Sequence, residues 1–263
     1  MKLQNKFIII VPVYNAQNYI LPCIISILNQ SFDDLGIIIR DDLSTDNTRD
    51  IIKNYFSLSN NQNVHNFNFK GRDIIYVEND NKLYPCGNTY ESVLNYVENK
   101  NSIIGVVDGD DKLIDNKAIE KIFKVYEEKK VWLVWSQHKP SSGQPGFSKN
   151  LPSDNEIYSS RNYWSVSHFR TSVAGLYYNI NKSDLIDPFD NSSYFKFCGD
   201  AAFLFPFIEM SGNEKSFFLN EVFYHYTDNA PLNEHNKDRN SAIKYGSFVR
   251  NNSKKYKKIQ TIN

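Results

Sequence analysis

Nowhere does the sequence run to about 18 consecutive apolar residues, so no membrane-spanning helix is expected. No secretory leader is expected either. Met1-Lys2-Leu3-Gln4-Asn5-Lys6 passes straight into the run that starts at Phe7, without the longer apolar core and small-residue end of such a leader. Cysteine is scarce: Cys23, Cys86 and Cys198 lie far apart and without metal-ligand spacing. They read as reduced thiols, which sets the expectation of a cytoplasmic protein. An excess of one charge is also lacking, because 30 Lys and Arg balance 30 Asp and Glu. The chain as a whole therefore gives no reason to expect a nucleic-acid partner. With 263 residues, 41% of them hydrophobic, it is long enough for one large α/β domain with a sizeable core.

What is present centres on residues 103–111, Ile-Ile-Gly-Val-Val-Asp-Gly-Asp-Asp. A branched apolar run ending in a polar turn reads as a buried parallel strand. Ligands of open parallel sheets bind beyond the carboxyl ends of the strands, so Asp108, Asp110 and Asp111 are expected at the rim of a crevice. Three like charges this close call for a cation. Mg²⁺ and Mn²⁺ take oxygen ligands, and Mg²⁺ commonly shares them with substrate phosphates. A metal held against a nucleoside diphosphate is the expectation; a solvated Asp-Gly turn is the plainer alternative.

Similar runs recur along the chain. Phe7–Val11, Ile37–Ile39, Asp73–Val77 and Val131–Trp135 are expected strands, with Pro12 ending the first ladder for want of an N–H. Helices are expected over 18–30, 47–57, 88–99 and 116–129 from apolar spacing. This β-α alternation argues a doubly wound parallel sheet. Residues 58–71 and 137–162 read as loops. A further helix is expected from Asp200, which would cap it, with Pro206 predicting a kink or break. Two short strands follow, Ser216–Leu219 and Val222–Thr227, with a turn at Asn220-Glu221. From residue 236 the chain carries eight Lys and Arg against Asp238 alone. Such a basic helix is usually a solvated face, and it also offers a weak membrane or anion contact.

Val11-Pro12-Val13-Tyr14-Asn15, Asp41-Asp42-Leu43-Ser44-Thr45-Asp46 and Asp108-Gly109-Asp110-Asp111 stand in this order at the ends of successive predicted strands. Together they resemble the family 2 glycosyltransferases of the GT-A fold over residues 1–135. A looser resemblance, in Ser167–Thr171, Phe207–Met210 and Asn229–Asn233, is to a branch of large DNA viruses and bacteria. That branch includes domains acting on hydroxylysine in collagen-like proteins. The resemblance implies a Rossmann-like, mostly parallel sheet flanked by helices in a domain of residues 1–235. Residues 1–135 would bind the nucleotide-sugar and 136–235 the acceptor, with a basic helical tail at 236–263. It implies a metal-dependent, inverting transfer of a sugar from a nucleoside diphosphate, UDP-linked, to a hydroxyl of a glycan or protein.

The resemblance assigns roles as well. Pro12, Val13, Tyr14 and Asn15 would line the nucleotide pocket. Asp42, or else Asp41, would accept the uracil N3–H, and Ser44 would support that turn. Leu43 stands where the family has glycine, and a leucine is poorly suited to positive φ. Lys82 and Asn88 sit where the family contacts the donor. Asp108 and Gly109 would face the ribose or sugar, and Asp110 with Asp108 would hold Mn²⁺ or Mg²⁺. Asp200 would be the general base, although Gly199 replaces the acidic residue often found beside it. Apart from the resemblance, arginine suits bidentate anion recognition, so Arg170 would meet the diphosphate or an acceptor carboxylate, or else form an ion pair at the edge of the core. His225 and His235 read as satisfied histidines, and Trp135 and Trp164 as core. A nucleotidyltransferase of similar fold is the first alternative, but Val-Pro-Val-Tyr-Asn lacks the glycines and bases of its phosphate loop. A non-catalytic sugar-binding module is the second.

Overall fold

The computed structural model describes residues 2–144, 146–151, 161, 166–230 and 238–262; Trp164, His235 and the Pro231–Asn233 stretch lie outside them. The first half runs β1 (Phe7–Val13), α1 (Ile20–Leu28), β2 (Leu35–Asp41), α2 (Thr48–Phe56), β3 (Val64–Phe69), β4 (Arg72–Glu78), α3 (Tyr84–Tyr96), β5 (Ile103–Val106), β6 (Lys112–Leu113) and α4 (Ala118–Lys129). The second runs β7 (Leu133–Pro140), β8 (Arg170–Val173), α5 (Gly175–Tyr178), α6 (Gly199–Ser211), β9 (Ser216–Tyr226) and α7 (Arg239–Asn251). The strands form one sheet in the order β3-β4-β2-β1-β5-β8-β7-β9-β6. Its centre, β4-β2-β1-β5, is parallel. β1 and β2 are buried at every position, as expected of strands with helices on both faces. Helix α1 turns Ile20, Cys23, Ile24, Ile27 and Leu28 into the core, the single apolar stripe its spacing predicts. The mixed α/β architecture with a mostly parallel sheet is as expected.

Several local expectations are corrected. The polar stretch 58–71 contains β3, which pairs antiparallel with β4 through a turn at Lys70 and Gly71, both at positive φ. Its alternating exposure marks an edge strand, a pattern that the asparagines disguise. Pro12 does not end β1: its carbonyl accepts from Gly109 N at 3.0 Å, and the strand continues to Val13. β7 extends to Pro140, into the expected loop. β8 inserts antiparallel between β5 and β7, so the expected parallel neighbour of β5 is one place further out. The two short strands are one, β9, whose register against β7 shifts at a bulge near Gln137. Helix α3 begins at Tyr84, four residues early, with Pro85 in its first turn where no N–H is needed. Helix α6 runs through Pro206 to Ser211.

The basic tail packs into the body. Asp238 caps α7 by accepting from Ser241 N, and Ala242, Tyr245, Gly246 and Val249 are buried. The chain then returns over α6, where Ile259 N donates to Met210 O at 3.0 Å. The lock is Arg161. Its guanidinium donates twice to Glu209 of α6, at 2.7 and 2.8 Å, and also to the carbonyls of Val249 and Lys254. Glu209 further accepts from Tyr256 N at 2.8 Å. No helix among the described residues is long and apolar enough to cross a membrane.

Candidate active site

The turns after β1, β2 and β5 meet at one edge of the sheet. At the first, Asn15 takes φ 49°, donates its N–H to the Ser44 hydroxyl at 2.9 Å and accepts from Thr45 N at 2.7 Å. This stitches the β1 turn to the β2 turn. Leu43 does adopt positive φ, 65°. The strain is held in place because Asp41 accepts Ser44 N at 3.0 Å and Arg49 Nε at 2.6 Å. The next carboxylate, Asp42, accepts Leu83 N and Tyr84 N at 2.8 and 2.9 Å. It therefore satisfies free N–H groups at the start of α3. Lys82 donates to the Asp42 carbonyl at 2.8 Å and lies 3.0 Å from the Tyr14 ring centroid, a cation–π contact.

The third turn carries the acidic cluster. Asp111 N donates to Asp108 O at 2.9 Å, closing the turn. Gly109 packs so tightly on β1 that an added Cβ would stand 2.6 Å from Val13 Cγ2. Two groups from the end of β9 grip Asp111: the Tyr224 hydroxyl and Thr227 N, both at 2.7 Å. The Thr227 hydroxyl donates to Asp110 O at 2.6 Å. Asp108, Asp111 and His168 each offer a ligand atom, all within 4.8 Å of one another. Burial, with mutual repulsion, raises the Asp108 carboxyl to about 7, the Arg170 charge opposing; it lifts Asp111 well above the carboxylate range. Asp110 is raised too, chiefly by burial. A cation would remove this penalty, and oxygen-rich donors suit a hard divalent ion.

His168 is stacked between Tyr224 and Tyr226, with ring centroids 4.7 and 4.9 Å away. Arg170 reaches its Nδ1 at 3.2 Å. Arginine can only donate, so Nδ1 accepts. Burial and the neighbouring Arg170 charge keep the imidazole neutral, well below its usual pKa. Its one lone pair is thus engaged by Arg170, and the carboxylate oxygens are the better donors for a metal. Arg170 also pairs with Asp200 Oδ2 at 2.5 Å.

Asp200 lies in the first turn of α6 and does not cap it. The capping position belongs to Cys198, at φ 54°. The Asp200 side chain is 39% exposed, toward a cavity of about 880 Å³ that Asp42, Asp108 and Arg170 also line. The departure at Gly199 has a steric cause: a Cβ there would stand 2.7 Å from Cys86 Cβ of α3.

Of the residues expected at the site, Pro12, Tyr14, Asp42, Lys82, Asp108, Gly109, Asp110, Arg170 and Asp200 reach the cavity wall. Val13, Asn15, Asp41, Ser44 and Asn88 do not. Val13 backs Gly109, Asp41 is fully buried, and Asn88 accepts from Asn79 inside α3's packing at 2.7 Å. Asp110 is on the wall but outside the three-residue cluster, where Asp111 and His168 stand instead. His168 and Tyr224 were not legible as partners of the turn, since each is brought there by a distant strand. His225 lies beside Ser141, off the wall, and Trp135 is core, donating to Lys149 O at 3.1 Å.

The family model "Glycosyl transferase family 2" matches residues 8–185, more than half of the chain. Glycosyltransferase GlyA of Streptococcus pneumoniae is 30% identical over 127 residues. That match covers 47% of this chain and 15% of GlyA, so the chain spans a small part of that relative. Among solved structures, S. aureus TarS in complex with UDP-GlcNAc superposes with TM-score 0.60 at 17% identity, over 84% of this chain and 58% of that one. Glucosyl-3-phosphoglycerate synthase from Mycobacterium tuberculosis, in complex with Mn²⁺, UDP-glucose and phosphoglyceric acid, gives TM-score 0.53 at 14% identity, over 88% and 74%. These likenesses show the GT-A fold. With the family model spanning all three motif turns, the chain belongs to the family 2 glycosyltransferases.

Proposed function

We propose that this chain moves a sugar from a nucleoside diphosphate, UDP-linked, to an acceptor hydroxyl of a glycan or protein, with inversion. The observation that carries the reading is one cavity lined at once by Asp42 and Tyr14, by the Asp108 turn and by Asp200. Tyr14 and Lys82 offer a face for the base, and Asp42 an acceptor for its N–H. Asp108 and Asp111, with Asp110 beside them, would hold the Mn²⁺ or Mg²⁺. When bound, that ion supplies neutralisation of the charge growing on the departing diphosphate. Asp200, oriented by Arg170, takes the proton of the attacking hydroxyl. The new bond joins the acceptor oxygen to the anomeric carbon, and the bond to phosphate breaks with its electron pair leaving on the diphosphate. The fold match to proteins solved with UDP-sugars and Mn²⁺ supports this reading.

Thermal denaturation across UDP-, GDP- and TDP-sugars, with and without Mn²⁺, is the test, because a ligand of the folded state raises its apparent stability. The expected result is a rise with UDP-sugars that needs Mn²⁺, together with slow release of UDP. If no nucleotide raises the midpoint under either condition, the proposal fails.

A further inference from the structure

Two arginines on the cavity wall stand out because the other bases around them have partners. Arg239, Ala242, Ile243, Gly246 and Arg250 all line the cavity. Their spacing puts them on one face of α7. Nearby, Lys196 pairs with Asp190 at 2.6 Å, Lys254 with Asp184 at 3.5 Å and Lys258 with Glu214. The acids close to α7 are also taken. Asp187 accepts from the Tyr245 hydroxyl and from Phe189 N, and Asp238 accepts from Ser241. Among the described residues, neither Arg239 nor Arg250 has an ion pair or a hydrogen bond from its side chain. Arg250 is nonetheless half-buried.

Their position relative to the proposed base is informative. A Cβ on Gly246 would stand 3.2 Å from Arg250 Nη1 and 3.6 Å from Cys198 Sγ. Cys198 is in turn fastened to α7 through Ala242 O at 3.4 Å, and it lies two residues before Asp200. The Arg250 guanidinium thus stands beside the start of α6, on the wall of the same cavity. Helix α7 is held there by Arg161 through Val249 O, so the arginine face is a fixed wall.

We propose that this wall is an anion subsite for the acceptor: the molecule whose hydroxyl meets Asp200 carries a phosphate or carboxylate that Arg250 and Arg239 grip. The guanidinium fork matches both groups, and a partly desolvated guanidinium without a partner gains by meeting one. The subsite rests on Asp200 being the base, and it is built from α7, not from the acidic turn assigned to the donor.

The test uses the whole chain saturated with UDP and Mn²⁺, so that the donor site is filled. Sulfate is titrated in against chloride of equal ionic strength, and the thermal midpoint is followed. A saturable rise specific to sulfate is expected. In R239Q/R250Q it should weaken by about tenfold or more, two charge-assisted contacts being lost, while R250K in place of R250Q keeps part of it. The rise caused by UDP and Mn²⁺ themselves reports on the donor reading separately and also shows that the variants fold. Glycerol phosphate and glucuronate, each against glycerol and glucose, then compete with sulfate; the one that displaces it names the source of the anion. A response equal to chloride, a response kept in the double variant, or displacement by neither compound overturns the subsite.

Discussion

Asp200 and Asn differ by one charge at nearly constant shape, so D200N isolates the proton-accepting role proposed for Asp200. Transfer should fall by about 10²–10⁴-fold, the range for losing a general base, while the midpoint rise with UDP and Mn²⁺ persists. Normal turnover in that variant would remove Asp200 from the mechanism. Asp108 gives a pH prediction. Its carboxyl is raised to about 7 by burial, so the folded chain holds this proton more tightly than the unfolded chain does. The stability that it contributes is present below the ordinary carboxylate range and is lost as pH rises through about 7. A cation needs the carboxylate free. The Mn²⁺-induced rise in midpoint should therefore be small near about pH 5.5 and large near about pH 8, and absent at both in D108N. At Gly109 any side chain meets Val13. G109A should shift the acidic turn and weaken the Mn²⁺ response with little loss of the core's stability, as read by the same titration. These residues were legible because their chemistry is local: three acids in one turn, and an acid at a helix start. His168 was not, since nothing near it in the sequence says which turn it will face.

The elements that were legible have unbroken apolar periodicity, as in β1, β2, α1 and α4. The errors fell where composition and geometry part company. β3 alternates but spends two of its three exposed positions on asparagine, and β9 bends at a bulge that sequence reads as a turn. Helix α6 is buried all round, and the tertiary packing around it outweighs the cost of Pro206. That packing includes the Arg161–Glu209 pair, at which the side chains are 1% and 2% exposed. Removing one partner of a buried, hydrogen-bonded pair leaves an uncompensated charge and costs about 3–5 kcal/mol. E209A should therefore lower the urea midpoint sharply and loosen residues 249–256, visible as faster amide exchange there. E209Q, which keeps part of the hydrogen bonding, should lose less. An unchanged urea midpoint in E209A would show that the tail is held by other contacts.

At the scale of the molecule, sequence reading gave the class of fold and the edge at which the site would lie, because parallel strands with tipped acids can open a crevice only at their carboxyl ends. The order of strands was beyond it. β8 enters antiparallel from residue 170, and no local pattern announces that a strand so late will separate β5 from β7. The same holds for the tail, whose charge suggested a solvated helix but which packs one face into the body and lines the cavity.

The grip on Asp111 spans the chain: Tyr224 and Thr227 are 113 and 116 residues downstream. A nascent polypeptide that has emerged only as far as β7 already owns all three acids, yet lacks the two groups that grip the Asp111 carboxylate. If these acids hold the proposed ion, competence for it would arrive with the final third of synthesis, and a protein cut short there should leave manganese in solution.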